Sequence, residues 1–177
     1  MTAESTNELD FLSFVDFAVA TTSSELKDVD PVAMRLVLSL HRVTSALVYD
    51  LESAVHRPRG LSWPGFRVLF VVWLAGPVES KRVATLSGMS RAAVSALVNT
   101  LEKAGLVSRR PSPHDRRSVL LVLTGRGREV ITRDYLAHNE REQAWADSLT
   151  AEERRTLIGL LDKLMTGRAA REANRRT

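Results

Sequence analysis

The sequence lacks cysteine altogether, which removes several classes of chemistry. Disulfide bonds, thiolate metal sites and thiol-based redox sensing are excluded for this chain. Histidine is also scarce, and the four residues lie far apart without a metal-ligand spacing such as i, i+4: His41, His56, His114 and His138. No nucleophile with a nearby base, no phosphate-binding glycine loop and no suitably spaced acid pair is found. We therefore expect no metal and no cofactor, and an enzyme is the least favoured of three function classes.

Long apolar segments are missing as well. No uninterrupted apolar run reaches the roughly 18 residues of a membrane-spanning helix. The first twenty residues are acidic, whereas a signal peptide begins with basic residues. With 44% hydrophobic and 26% charged residues, the chain has the composition of one or two globular units that bury a substantial core. These features predict a cytoplasmic protein without a membrane partner.

Charge is distributed unevenly, although the net charge is only +4. Residues 1–34 carry a net charge of −6, while residues 60–128 carry eleven bases and three acids, a net charge of +8. The bases cluster at 81–82, 109–110, 116–117 and 126–128. A positive region of this size indicates a polyanionic partner, although a solvated surface that only keeps the protein soluble would have the same composition.

The segment from Ser80 to Thr124 has the layout of a winged helix-turn-helix. A short helix from Ser80 to Leu86 is stopped by Ser87-Gly88, because glycine adopts the left-handed conformation that ends a helix. Ser90 caps a second helix. Two antiparallel strands at 106–110 and 118–123 follow, joined by a loop rich in proline and arginine. Together with the positive charge, this layout favours a DNA-binding protein.

The second helix of this segment has two distinct faces. Val94, Leu97, Val98 and Leu101 recur at i, i+3, i+4 and i+7, which predicts one buried stripe. The opposite face is small and polar, so it can approach base edges and phosphates, and we expect DNA contacts from Ser90, Arg91, Ala92, Ser95 and Asn99. Lys81, Arg109 and Arg110 are expected to contact phosphates and to add affinity without sequence preference.

Other helices are predicted on both sides of this segment. Leu9–Ala20 has an apolar helical face, Asp30-Pro31 begins a long helix that ends before Pro58, and a helix at 62–75 is apolar nearly all round and therefore central. Thr124 caps a further helix, and Thr150 with Glu153 forms a capping box. The helix that this box begins has an apolar stripe of Leu157, Leu160, Leu161 and Leu164. That stripe predicts pairing with a second copy, the alternative being that it completes a monomeric core.

The combination of motifs resembles the MarR family of bacterial transcriptional regulators. The resemblance is carried by the run from Leu101 to Val107, by Asp115-Arg116-Arg117, and by Leu123-Thr124 with Gly127 three residues on, and it covers about residues 31–166. It implies a homodimer that presents two winged helix-turn-helix units to a palindromic operator. It also implies a repressor that is released by a small aromatic or phenolic ligand.

Residue roles in the wing follow from the same resemblance. It implies that Arg117 enters the minor groove and that Asp115 braces it, with Arg116 between them. An arginine at a hairpin tip can reach the narrow groove, where the negative potential is enhanced. The alternative is that Asp115 only makes the turn and the arginines are solvated.

The resemblance further implies a ligand pocket where the 36–50 helix meets the start of the 62–75 helix, with candidates His41, Ser45, Trp63, Phe66, Arg67 and Phe70. For each of these residues, core packing is the alternative.

We thus expect a mainly α fold with a small antiparallel β wing. Its predicted parts are an acidic extension (1–30), a helical dimerisation unit (31–58 and 125–167), a winged helix-turn-helix domain (60–124) and a basic tail (168–177). The second function class is a constitutive winged-helix architectural protein that binds DNA or RNA without an effector.

Overall fold

The computed structural model describes residue 10 and residues 13–113 and 118–174 of the chain. The described part is mainly helical and contains a small antiparallel sheet of three strands, which confirms the predicted fold class. The chain divides into two compact units, residues 1–49 and residues 50–177.

Two helices form the described part of the N-terminal unit, α1 (Ser13–Glu25) and α2 (Pro31–Asp50). The predicted start at Asp30-Pro31 is confirmed, because the Asp30 carboxylate accepts hydrogen bonds from the backbone N–H groups of Val32 and Ala33 at 2.9 and 3.0 Å. The predicted apolar segment Leu9–Ala20 lies partly outside the described residues, and its helix continues to Glu25.

The sequence predicted a long helix that ends before Pro58. The α-helix itself ends at Asp50, but helical turns of other geometry continue through Pro58. A π-helical segment (Leu51–His56) and a 3-10 turn (Arg57–Arg59) follow α2, and Gly60 ends the turn with a φ of 79°. Proline is tolerated here because the first N–H groups of a helical turn need no partner within it.

One helical run is nevertheless long and apolar enough, by length and composition alone, to cross a membrane. The helical run Pro31–Arg59 has a mean hydropathy of 1.2 in an 18-residue window and is long enough to cross a bilayer. Counting only uninterrupted apolar runs missed it, because Arg35 and Arg42 divide the helix. Core helices of soluble proteins meet the same criterion.

Helix α3 (Trp63–Ala75) is the centre of the C-terminal unit, as its composition predicted. Ser62 caps it by accepting a hydrogen bond from the Gly65 N–H at 3.2 Å. Val68 and Leu69 are completely buried. The helix packs against α4 (Ser80–Ser87), α5 (Arg91–Lys103), β3 (Val119–Leu123) and α6 (Gly125–Ala146). Its last turn differs, since Leu74 is 64% exposed before Gly76 ends the helix.

The winged helix-turn-helix follows α3 in the predicted order. It comprises β1 (Val78–Glu79), α4 (Ser80–Ser87), α5 (Arg91–Lys103), β2 (Val107–Pro111) and β3 (Val119–Leu123). Gly88 ends α4 with a φ of 64°, as predicted. The two-residue strand β1, which no periodicity could indicate, pairs with β3 and makes the strand order β1-β3-β2.

Helices α6 (Gly125–Ala146), α7 (Ala151–Met165) and α8 (Arg168–Asn174) complete the described part of the chain. The predicted caps at Thr124 and Thr150 are confirmed, the second as a capping box with Glu153. Gly127 is required where α6 passes Leu106, the residue before β2, because a Cβ atom there would lie 1.9 Å from the Leu106 carbonyl oxygen. The tail that the sequence predicted only as basic contains α8.

Candidate nucleic-acid interface

Helix α5 has one buried face and one exposed face. Val94 and Val98 are completely buried and Leu101 is 3% exposed, while Leu97 is only partly buried. The opposite side is exposed at all five predicted DNA-contact positions, Ser90, Arg91, Ala92, Ser95 and Asn99. The structure therefore leaves all five of these positions accessible to a partner.

The beginning of α5 has the electrostatics of an anion-binding surface. The Ser90 hydroxyl accepts a hydrogen bond from the Ala93 N–H at 3.2 Å, which fixes the first turn. Other N–H groups of that turn point away from the helix, and the helix dipole places partial positive charge there. Arg91 adds a full positive charge at the same exposed end. A phosphate is a suitable partner for this combination.

Strands β2 and β3 form the stem of the wing. Arg109 pairs in register with Leu121, and Arg110 with Leu120. The Ser112 N–H donates to the Ser118 carbonyl at 2.9 Å, which closes the hairpin below its tip. Asp115, Arg116 and Arg117, which come between these two residues in the sequence, lie outside the described residues, so their roles in the minor groove stay predictions.

Arg109 is engaged within the chain, in an arrangement that the sequence did not indicate. Its guanidinium donates to the Asn99 side-chain oxygen at 2.7 Å and also to the Glu102 carboxylate. This side chain therefore ties the wing strand β2 to the exposed side of α5. In the protein without DNA, Arg109 therefore fixes β2 against α5. A phosphate contact of Arg109 would be made in addition to this one.

The other two predicted phosphate contacts are in different situations. Lys81, on α4, forms an ion pair with Glu79 at 2.9 Å, and its side chain is 69% exposed. Arg110 is exposed on β2. Both side chains are accessible to a phosphate, since surface ion pairs such as that of Lys81 are weak.

A cavity of about 460 Å³ opens beside α3 and the end of α4. This volume lies within the range typical of small-molecule sites. Two of the predicted ligand residues, Arg67 and Phe70, contribute to its wall, which consists of Arg67, Phe70, Val71, Leu74, Ala75, Leu86 and Ser87. The sequence contained a signal for it: Arg67, Phe70, Val71 and Leu74 are spaced i, i+3, i+4 and i+7, a helical stripe with one cation among apolar residues.

Arg67 connects this cavity to the helix-turn-helix. Its guanidinium donates a hydrogen bond to the carbonyl oxygen of Ser87, the last residue of α4. The same guanidinium carbon lies 6.0 Å from the centroid of the Trp63 ring. A cation at the end of a helix stabilises carbonyl groups that have no partner within the helix.

The remaining predicted ligand residues are not brought to this cavity. Phe66 is 3% exposed and belongs to the core, where its ring lies 4.1 Å from that of His56. Trp63 is partly buried and packs against the same core. His41 and Ser45 lie exposed on α2, in the N-terminal unit. Their assignment to a ligand site stays a prediction.

A buried polar cluster that the sequence did not indicate lies between the π-helical segment and α6. His56 and Asp134 are completely buried, and His138 is 4% exposed. The two imidazole rings lie 5.2 Å apart although 82 positions separate them, and Asp134 accepts from the Nε atom of Arg133 at 2.8 Å. No local pattern could have found a contact of this separation.

The chemistry of this cluster is that of neutral histidines. Burial, followed by the neighbouring His138, lowers the pKa of His56 to about 4, against the smaller opposing effect of Asp134. Burial also lowers the pKa of His138, against the opposing effect of Glu142. Within the described parts of the chain, no group of three or more potential ligands is arranged to hold a metal ion.

Comparison with known proteins agrees with this geometry. The model of the MarR family matches residues 61–119. YwaE of Bacillus subtilis, named as an uncharacterized HTH-type transcriptional regulator, is 31% identical over 132 residues, which cover 75% of this chain and 77% of YwaE.

Solved structures give the same result. The transcriptional repressor CouR, bound to a 23-mer DNA duplex, superposes with a TM-score of 0.68 at 28% identity, covering 81% of this chain and 94% of CouR. The Mycobacterium tuberculosis MarR family protein Rv2887, in complex with salicylic acid, has a TM-score of 0.60 at 29% identity and covers 78% and 99% of the two chains. The chain therefore belongs to the MarR family of winged-helix transcriptional regulators.

Proposed function

We propose that the protein is a ligand-responsive, sequence-specific repressor that binds a palindromic DNA operator as a homodimer. DNA-binding transcriptional regulation is the function of its family, in which repression and homodimer formation are typical. The observation that carries the proposal is the exposed face of α5, which is small, polar and mildly basic while the opposite face is buried.

Three kinds of DNA contact are proposed, to the major groove, to the minor groove and to phosphates. Ser90, Arg91, Ala92, Ser95 and Asn99 are assigned to the major groove, where base edges are read. Arg117 is assigned to the minor groove, with Asp115 orienting it and Arg116 beside it. Lys81, Arg109 and Arg110 are assigned to phosphates, Arg109 after it gives up part of its contact with Glu102.

Homodimer formation is supported by apolar side chains that the chain leaves uncovered. Helix α7 has no buried residue, and its stripe is between 37% and 55% exposed at Leu157, Leu160, Leu161 and Leu164. None of the residues of α2 is buried either. We assign α2 and α7 to an interface with a second copy, in agreement with the predicted dimerisation segments 31–58 and 125–167.

Because regulators of this family are soluble DNA-binding proteins, the apolar helix Pro31–Arg59 is assigned to this contact and to no membrane.

Ligand response is supported by the cavity beside α3 and by one structural relative. Rv2887 is described with salicylic acid, a small aromatic acid. An aromatic ligand would find an apolar wall and one arginine in the cavity. A ligand can release DNA only by binding the two arrangements of the protein with different affinity, and a coupling of about 1 to 3 kcal/mol corresponds to roughly 5- to 150-fold.

The proposed function is tested by measuring affinity for the promoter region of the neighbouring gene and for a scrambled duplex, over a range of salt concentrations. We expect a preference for a short palindrome. Arg117→Ala should weaken specific binding by about 1 to 3 kcal/mol, while Arg110→Ala should weaken binding to both duplexes alike and flatten the salt dependence.

Two results would change the proposal. Equal affinity for the palindrome and the scrambled duplex would favour the constitutive architectural protein. If the Arg117→Ala variant bound the operator as tightly as the wild type, the assignment of Arg117 to the minor groove would be wrong.

A further inference from the structure

Asn99 lies on the exposed face of α5, and its side-chain oxygen has a partner within the chain. Nη2 of Arg109, on β2, donates a hydrogen bond to this oxygen at 2.7 Å. A guanidinium has donors and no acceptor, so the atom that it contacts must be the oxygen of the amide. The contact thereby determines the orientation of the Asn99 side chain and leaves its amide nitrogen, with the N–H donors, for another partner.

Glu102 holds the guanidinium in this position. It follows Asn99 by one helical turn on α5, and its carboxylate accepts a hydrogen bond from Nη1 of Arg109. A guanidinium is planar and its donors form a rigid fork, so two acceptors on neighbouring positions of one helix fix its place and its tilt. The side chains of Arg109 and Glu102 are only partly exposed, and salt screens such a pair less than a fully exposed one.

This arrangement changes which base the Asn99 side chain can read. A free asparagine is suited to adenine, because its oxygen accepts from the adenine N6 amino group while its nitrogen donates to N7. Here a second donor at the oxygen would lie against the positive guanidinium of Arg109. The pair therefore offers a base only donors, the amide N–H groups of Asn99 and the N–H groups of Arg109 that its two partners leave over. Guanine is the base that presents two acceptors, N7 and O6, in the major groove.

We infer that Arg109 makes Asn99 a reader of guanine and not of adenine, so that each half-site of the operator carries a guanine at the position that Asn99 contacts. Asn99 is the residue that reads the base, and Arg109 is a positioning residue that acts through it. Arg109 keeps this bond in the complex, also where a phosphate replaces part of its contact with Glu102. The inference rests on the proposed sequence-specific DNA binding and adds the identity of one base.

A link that only fixed the wing against α5 would have a different effect. Loss of such a link lowers the affinity for every duplex alike, because the strand and the helix are then held less firmly. Loss of the constraint on the Asn99 oxygen changes which base is preferred at one position and leaves the other positions of the half-site as they are. Base preference, and not total affinity, therefore separates the two roles of Arg109.

The experiment selects bound duplexes from a pool of random sequence with the full-length protein and compares the base preference at each position. Asn99→Ala removes the amide and thereby identifies the position that it contacts. Arg109→Met removes the guanidinium and keeps an unbranched side chain on β2. Arg110→Met, the same change at the next residue of β2, is the matched control, since Arg110 is assigned to a phosphate. Circular dichroism checks the fold of each variant.

For the wild type we expect guanine at the position that loses its preference in Asn99→Ala. Guanine should be favoured over adenine by roughly fivefold or more, the lower end of the range for one bidentate contact. Arg109→Met should favour adenine there, because the freed oxygen can accept from N6. Glu102→Gln, which keeps the shape and removes the charge, should lower the guanine preference without reversing it. Arg110→Met should bind all duplexes more weakly and retain the guanine.

A second measurement uses only the wild-type protein, so it does not depend on the folding of a variant. In the selected duplex, 7-deazaguanine replaces the guanine and removes the N7 acceptor, whereas hypoxanthine keeps N7 and O6 and lacks only the amino group in the minor groove. We expect 7-deazaguanine to weaken binding by roughly fivefold or more and hypoxanthine to leave it unchanged. Unchanged affinity with 7-deazaguanine would contradict the inference, since no donor would then reach N7.

Three results of the selection would overturn the inference and leave the proposed function intact. They are a palindrome with adenine at the Asn99 position in the wild type, an unchanged guanine preference in Arg109→Met, and an unchanged preference at every position in Asn99→Ala. A wild type that selects no sequence from the pool would remove the proposed function together with the inference. The two failures are distinguishable, because in the second no position of the duplex shows a preference.

Discussion

Helices α3 and α7 have similar apolar spacing but opposite surroundings. In α3, Val68 and Leu69 are completely buried, because α4, α5, α6 and β3 surround the helix. In α7, Leu160 is 55% and Leu164 45% exposed. A stripe of this size that stays in contact with water costs free energy, and monomeric proteins seldom keep one. Periodicity therefore identifies which side of a helix is apolar, while the fold decides whether the same chain or another covers that side.

The packing around α3 is most directly disrupted by a substitution at the centre of this helix. Leu69→Ala leaves a cavity between α3 and its neighbours, so we expect the free energy of unfolding to fall by about 2 to 5 kcal/mol. Leu74→Ala is the matched control, since Leu74 is 64% exposed on the same helix, and it should cost less than about 1 kcal/mol. Denaturant titration followed by circular dichroism measures both. Similar losses in the two variants would mean that α3 is not the centre of the core.

The role of the exposed leucines of α7 in dimer formation is tested by introducing a charge among them. Leu160→Asp should shift the protein from dimer to folded monomer, because an unpaired carboxylate would be buried at the contact between two copies. Arg155→Asp, on the opposite side of the helix, should remain dimeric. Sedimentation velocity at micromolar concentration distinguishes the species. If the wild type is itself a folded monomer there, the interpretation of the exposed leucines is wrong.

Acid should destabilise the core around α3 through the buried histidines. The pKa of His56 falls from an ordinary value of 6.5 to about 4 on folding. The neutral form therefore stabilises the fold fully above pH ~6.5, and this contribution is lost as the pH falls toward ~4. Between about pH 7.5 and 5 the expected loss is about 2 kcal/mol. It should be smaller in His56→Phe, and an equal acid sensitivity of this variant would assign the effect to other groups.

The cap of α7 gives the smallest of these effects. The Thr150 hydroxyl accepts from the Glu153 N–H, and the Glu153 carboxylate accepts from the Thr150 N–H at 2.8 Å. Thr150→Ala should lower the stability of the helix by about 1 kcal/mol, whereas Thr156→Ala, in the exposed middle of α7, should cost nothing. Amide hydrogen exchange along the first turn measures the difference, and equal protection in both variants would contradict it.

The features that the sequence predicted depend on neighbouring residues. The caps at Ser90, Thr124 and Thr150 and the glycine turn at Gly88 were predictable because each cap or turn is fixed within about four positions. The recognition face of α5 was predictable for the same reason, since its residues recur with the helical period. These local signals determined the order of the elements and the exposed surface.

The features that were missed depend on contacts between distant positions. The His56–His138 contact, the link from Arg109 to Asn99 and the bond between Arg67 and Ser87 arise only when the chain has folded. The short strand β1 owes its existence to β3 and has too few residues for any period. The continuation of the helical run through Pro58 likewise depends on a change from π-helical to 3-10 geometry.

The central claim, that two copies joined through their exposed apolar helices present two recognition surfaces to DNA, is tested most directly by the spacing of the half-sites. Operator affinity would be measured for the native palindrome and for duplexes with about 5 and about 10 base pairs inserted at its centre. Half-sites one helical turn apart, about 34 to 36 Å, suit a two-fold dimer, and a half-turn insertion places the second site on the opposite side of the duplex. We expect affinity to collapse toward nonspecific binding with the half-turn insertion. Affinity independent of the insertion would contradict the account, since each chain would then bind its half-site alone.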